Sequence, residues 1–173
     1  MSAIDDALKA NQKYASGFDR SDLAVAPAKK LAVLACMDAR LTVADVLGLR
    51  IGDAHVIRNA GGIATEDALR SLIISHHLLG TREVIVINHT DCGMLNSNDR
   101  DLLTHLEEKT GAVAPVDFHT FKNLEDNVRQ QIARINGHPY LQDLPVRGFV
   151  YDVQTGKLHE VQEIPVHAAH KNA

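Results

Sequence analysis

The chain has 173 residues, with 18 Lys+Arg against 22 Asp+Glu, a formal charge of −4, 45% hydrophobic and 23% charged residues. That composition excludes a disordered segment and favours one globular domain spanning residues 1–173. No basic stripe or polybasic run occurs, which argues against nucleic acid and anionic membranes as partners. The N-terminus mixes Asp5, Asp6, Lys9 and Lys13 with short apolar stretches, unlike a signal peptide, and no apolar run approaches a membrane span. A cytoplasmic location is therefore expected. With no Trp, three Tyr and four Phe, the core must be aliphatic.

Residues 1–26 read as a helical arm. Ile4 to Tyr14 is compatible with a helix but poor in apolar positions, so alone it would be marginal and is expected to dock on something else, such as a partner subunit. Leu31-Ala-Val-Leu-Ala35 is a buried strand. Thr42 to Leu49 predicts a short helix stopped near Gly52. Ala54 to Arg58 is a second strand, ending in Asn59-Ala-Gly-Gly62. Thr65 is a good N-cap, and Glu66 and Asp67 suit the positive end of the helix that follows. That helix carries Leu69, Leu72, Ile73, His76 and Leu79 on one face and closes at Gly80. Val84-Ile-Val-Ile87 is the third buried strand. Asp101 to Thr110 predicts a helix, Gly111 to Pro115 a break, and Phe118 to Asn136 a helix with Phe121, Leu124, Val128, Ile132 and Ile135 at helical spacing. Val146–Val153 and Leu158–Val161 flank a turn and predict a hairpin. The tail from His167 is expected to fray.

Strands alternating with helices predict an α/β fold: a mainly parallel central sheet flanked by helices, with a C-terminal antiparallel hairpin edge. In such sheets, sites form outside the carboxyl ends of the strands. Those ends carry Cys36, the Asn59–Gly62 loop and His89.

Two thiols in a chain without an export signal point to ligands or catalysts more than to a disulfide. Cys36-Met-Asp-Ala-Arg40 follows strand one; if it stays extended, residues 36, 38 and 40 share a face. His89-Thr-Asp-Cys92-Gly93 follows strand three, and its spacing puts His89 and Cys92 on the same side of a turn. Together the loops offer sulfur, nitrogen and sulfur ligands, a set suited to Zn²⁺, and three protein ligands with a free fourth position are the catalytic pattern. The plainer readings are a buried apolar Cys at a strand end and an Asp38–Arg40 surface ion pair worth ~0–1 kcal/mol. A phosphatase-type loop is disfavoured, because Cys36 and Arg40 stand too close together and Asp38 would repel phosphate. Gly61-Gly62 could bind an anion at the helix start, but a tight turn needing positive φ is the simpler account.

Cys36-x-Asp38-x-Arg40, Arg58-Asn-Ala-Gly-Gly62 and His89-Thr-Asp-Cys92-Gly93, in that order and spacing, resemble the β-class carbonic anhydrases. The resemblance runs from about Leu31 to Leu95, with Val150 to Gly156 similar to the family's final strands. It implies one Zn²⁺ per chain on Cys36, His89 and Cys92, and a dimeric building block whose N-terminal helices embrace the partner. It also implies reversible hydration of CO2 to bicarbonate and a proton by hydroxide on zinc. Asp38 and Arg40 are the catalytic pair: Asp38 accepts a hydrogen bond from the nucleophile, and Arg40 keeps Asp38 off the metal. In a closed state Asp38 becomes a fourth ligand. Gly61 and Gly62 are candidates for lining the substrate pocket, and a homodimer or dimer of dimers is expected. Asn88 departs from the Gly that commonly precedes the zinc His in the family. Rival readings are a hydrolase of carbon disulfide or carbonyl sulfide on the same scaffold, a non-catalytic zinc-binding module, and a thiol enzyme without metal.

Overall fold

The computed structural model describes residues 2–113 and 116–162. Strands β1 (Leu31–Cys36), β2 (Ala54–Asn59), β3 (Glu83–His89), β4 (Val146–Tyr151) and β5 (Leu158–Glu160) form one sheet in the order β2-β1-β3-β4-β5. The first three pairings are parallel, and β4–β5 is antiparallel. This is the expected α/β architecture with its hairpin edge. Helices α1 (Ala3–Ser16), α2 (Val43–Leu47), α3 (Glu66–His77), α4 (Asp99–Thr110) and α5 (Leu124–Asn136) complete the described elements. None of them is long and apolar enough to cross a membrane.

β1 and β3 are apolar on both faces because both faces are covered. Ala32, Leu34, Val84 and Val86 pack with Leu69 and Leu72 of α3 and Ile135 of α5. The alternate residues Val33, Ala35 and Ile87 pack with Leu41, Val43 and Phe121. Full burial of a side chain such as Leu34 or Ile87 contributes roughly 1.5–3 kcal/mol. The strand order also places the crevice. β1 connects through α2 to β2 on one side, and β3 returns to pair with β1 on the other. The carboxyl ends of β1 and β3 therefore flank a switch point of the topology, where open α/β sheets hold their sites.

Several boundaries differ from those predicted. β1 and β3 run on to include Cys36 and His89 themselves. α2 closes at Gly48, whose φ of +61° ends it before Gly52, and α3 stops at His77 before Gly80. α5 begins at Leu124 rather than Phe118. Asn123 caps it by accepting from the Asp126 N–H at 3.0 Å, and the Phe118 and Thr120 N–H groups are held by Asp99 at 2.9 and 3.2 Å, outside any helix. α1 has a Ser2–Asp5 capping box and no buried residue. The tail from His167 lies outside the described residues.

Candidate metal centre

Cys36 ends β1 and His89 ends β3, so two adjacent parallel strands deliver a thiol and an imidazole to one crevice. Cys92 returns to the same point because Asp91 takes a left-handed φ of +56°. The two sulfurs and a His89 ring nitrogen lie within 4.8 Å of one another, and all three residues are buried. Both cysteines are free thiols.

The surroundings of these atoms favour metal binding. His89 Nδ1 lies 2.8 Å from the Thr90 carbonyl, which only accepts, so Nδ1 carries the proton and Nε2 presents a lone pair. Among the described residues, Nε2 is the one buried side-chain nitrogen or oxygen without a hydrogen-bond partner. Leaving such a group unsatisfied costs roughly 1–3 kcal/mol, and a cation bound there would satisfy it. The Asp38 and Gly61 N–H groups face the Cys36 sulfur, and those of Met94 and Leu95 face the Cys92 sulfur. Backbone dipoles aimed at sulfur favour the thiolate. The Cys92 hydrogen bond pulls the Cys36 thiol well below its ordinary value against the effect of burial, and the Cys36 thiolate together with burial pushes Cys92 up. Burial opposes a charged His89, yet the neighbouring Cys36 sulfur and the Thr90 carbonyl shift it upward. Two soft sulfurs and an imidazole with an orphaned lone pair fit zinc.

The Cys36–Arg40 loop does not stay extended. It turns, with the Arg40 N–H donating to Asp38 Oδ1 at 2.9 Å and the Leu41 N–H to the Asp38 carbonyl at 3.0 Å. Asp side chains favour such turns by bonding the backbone two residues on. The turn brings Arg40 back onto Asp38 as a two-pronged pair, Nε to Oδ1 at 3.0 Å and a terminal nitrogen to Oδ2 at 2.8 Å. These bonds hold the Asp38 carboxyl well below the usual carboxylate range. Asp38 and Asp91 in turn raise the Arg40 guanidinium. Asp38 Oδ2 is 3.6 Å from His89 Nε2, beyond hydrogen-bond range but at the edge of the donor cluster.

Sequence reasoning did not single out two residues that brace these loops. Arg40 also bonds the Asp91 carboxylate at 2.8 Å and its carbonyl at 3.1 Å, tying the first loop to the second. Arg58, at the end of β2, donates to the Cys36 carbonyl at 3.0 Å and the Asp38 carbonyl at 2.6 Å. A lone Arg within a strand carries no local signal of that task. Gly61 and Gly62 both have positive φ. At Gly62 a Cβ would stand 2.9 Å from the Cys36 nitrogen and 2.9 Å from Asn88 Nδ2, so its place is accounted for by close packing of backbone beside Cys36. His76 and His77 lie away from the centre, bonded to the Thr81 and Tyr140 carbonyls.

Residues 31–158 match the carbonic anhydrase family model. Beta-carbonic anhydrase 1 of Mycobacterium tuberculosis is 47% identical over 162 residues, covering 93% of this chain and 99% of that protein. The chain belongs to the β-carbonic anhydrase family. A solved β-carbonic anhydrase neighbour, the carbonic anhydrase of Streptococcus mutans, superposes with a TM-score of 0.90 at 41% identity, covering 94% of this chain and 99% of that one. A carbon disulfide hydrolase of Saccharolobus solfataricus is 31% identical over 182 residues, covering 91% of this chain and 88% of that protein. β-Carbonic anhydrases use zinc, and Cys36, His89 and Cys92 are the donor set this chain offers for it.

Proposed function

We propose that this chain catalyses the reversible hydration of CO2 to bicarbonate and a proton, with Cys36, His89 and Cys92 holding one Zn²⁺ per chain. The observation that carries the reading is the buried S/N/S cluster beside an ionised Asp38 that Arg40 holds in place. When bound, zinc supplies a Lewis acid that makes a water molecule acidic enough to lose its proton near neutral pH.

The chain's own residues do the rest. Asp38, kept ionised by Arg40, can only accept hydrogen bonds. It therefore selects the orientation of the attacking water in which a proton faces Oδ2 and a lone pair is left free for carbon. Arg40 anchors that carboxylate and is itself held by Asp91, so Asp38 is kept paired and off the donor cluster. Arg58 fixes the carbonyls of residues 36 and 38 and hence the distance between ligand and carboxylate. If Arg40 releases it, Asp38 is the residue that would close the site as a fourth ligand. Gly61 and Gly62, next to Cys36, remain the candidates for the wall of the substrate pocket.

The same reading takes the chain as one domain acting in the cytoplasm, as a homodimer or dimer of dimers. Support for assembly comes from α1, where Ile4 and Leu8, one turn apart, are 70% and 59% exposed and the described residues leave them uncovered. The alternative substrate class is carbon disulfide or carbonyl sulfide, favoured by the 31% identical hydrolase. A stopped-flow assay of zinc-loaded protein on CO2, alongside carbon disulfide and carbonyl sulfide, separates the two. Turnover of the sulfur compounds without CO2 hydration would overturn the proposal.

A further inference from the structure

Three amides stand where apolar side chains are expected. Asn88 interrupts the apolar run of β3, and Asn127 and Gln131, one turn apart, interrupt the stripe of Leu124, Val128, Ile132 and Ile135 on α5. They are 1%, 3% and 5% exposed, and burying an amide is costly unless it is hydrogen-bonded. These three bond to one another in series. The Ala64 N–H donates to Gln131 Oε1 at 2.9 Å, Gln131 Nε2 to Asn127 Oδ1 at 2.8 Å, Asn127 Nδ2 to Asn88 Oδ1 at 2.6 Å, and Asn88 Nδ2 to the Gly61 carbonyl at 3.0 Å. The direction is forced, because a backbone N–H at one end can only donate and a carbonyl at the other can only accept. Each amide therefore has one orientation, and all the dipoles run the same way and reinforce one another.

Both ends of the series lie in one turn, residues 61 to 64, so the relay closes a ring through that turn. The Gly61 N–H in turn faces the Cys36 sulfur and favours its thiolate. Asn88 immediately precedes His89 and stands against Gly62, which itself abuts the Cys36 backbone. One buried network thus spans α5, the end of β3 and the loop that touches a ligand sulfur. We propose that Gln131, Asn127 and Asn88 are positioning residues of the metal centre: by clamping Gly61 and Ala64 they hold the Gly61 N–H on the Cys36 sulfur and fix the direction in which that sulfur faces the metal. The proposal rests on the reading of Cys36, His89 and Cys92 as zinc ligands. None of the three amides touches metal or substrate. Residues that orient ligands in this way typically alter metal affinity or activity by about 10–100-fold when replaced.

The test uses the full chain and two near-isosteric variants that break the direction of the series. In Asn127→Asp the ionised side chain has no donor for Asn88, and in Gln131→Glu it has none for Asn127. Zinc affinity is measured by chelator competition, the thiolate-to-cobalt charge-transfer band on the cobalt-loaded protein, and folding by thermal melting. A folded variant with zinc bound about 10–100-fold more weakly and a shifted cobalt band supports the relay. Unchanged zinc affinity and cobalt band in both variants, with only a lower melting temperature, would make the amides a fold element and overturn it. If neither variant folds, the wild-type protein loaded with an NMR-active cadmium isotope decides. Scalar coupling between the metal and the Gly61 amide proton supports the proposal, and its absence overturns it. Wild-type protein that takes up no metal overturns the zinc reading and the proposal with it, an outcome distinct from metal binding that ignores the relay.

Discussion

Replacing Gly62 by Ala tests how closely the fold and the metal centre are joined. The residue sits at φ +63°, and a Cβ there would lie 2.9 Å from Asn88 Nδ2, 2.9 Å from the Cys36 nitrogen and 3.0 Å from the Ile87 carbonyl. Two of these neighbours are backbone atoms of β1 and β3 and cannot rotate away. A left-handed φ costs a non-glycine residue roughly 1–2 kcal/mol, and forcing a methyl into a filled site adds about 1–3 kcal/mol. The expected loss is then about 2–5 kcal/mol, or a melting temperature lower by roughly 4–20 °C for a chain of this length. Gly61→Ala is the internal control. Its φ of +82° incurs the same conformational cost, but the new Cβ would meet the Ile63 and Met94 side chains at 3.2–3.4 Å, and these can shift. Calorimetry and zinc content are measured on both variants. Gly62→Ala should be the less stable and should lose zinc, because relief of the clash moves Cys36. A Gly62→Ala protein that melts with Gly61→Ala and keeps a full zinc equivalent would refute the reasoning.

Cys92→Ser should lose both metal and CO2 hydration, since a hydroxyl is a poor anionic ligand at neutral pH; a full zinc equivalent in that variant would contradict the ligand assignment. Arg40→Ala removes both side-chain bonds to Asp38, so turnover should be abolished while zinc stays bound, with Asp38 seen on the metal in a crystal structure. Near-normal hydration with Asp38 turned away would count against that. Because Arg40 depresses the Asp38 pKa, its contribution to stability is present above the unfolded value of about 4 and is lost only as pH falls further, through the folded value. The melting gap between wild type and Arg40→Ala should therefore stay flat from alkaline pH down to about 5 and close only in stronger acid; a gap that closes near neutrality would be inconsistent with the pairing. Deleting residues 1–20 should weaken self-association, read by analytical ultracentrifugation across a dilution series, and an unchanged dissociation constant would exclude α1 from the interface.

Much of the candidate site was legible because its signals are local. An apolar run ending in Cys36, a second ending beside His89, and the three-residue step to Cys92 need only the chain within a few residues of themselves. Caps were legible for the same reason, as at Thr65, whose side chain accepts from the Ala68 N–H at 3.3 Å. The start of α5 was not, because apolar spacing from Phe118 continues a helical pattern into a segment whose N–H groups Asp99 claims from 19 and 21 residues away. The extended reading of Cys36–Arg40 failed on a side chain: Asp38 bonds the Arg40 backbone and turns the loop.

The sequence alone determined which residue types stand at the strand ends, that the sheet is mainly parallel with a hairpin edge, and that a thiol pair with an imidazole is available to a soft metal. Only the tertiary structure decided that β1 and β3 are neighbours, that Asp91 and Arg58 brace the Cys36–Arg40 loop, and that Asn88 meets Asn127 39 residues away. Periodicity and caps act over a turn or a strand, whereas pairing order and the partner of a buried amide are set by which surfaces the whole chain must cover at once.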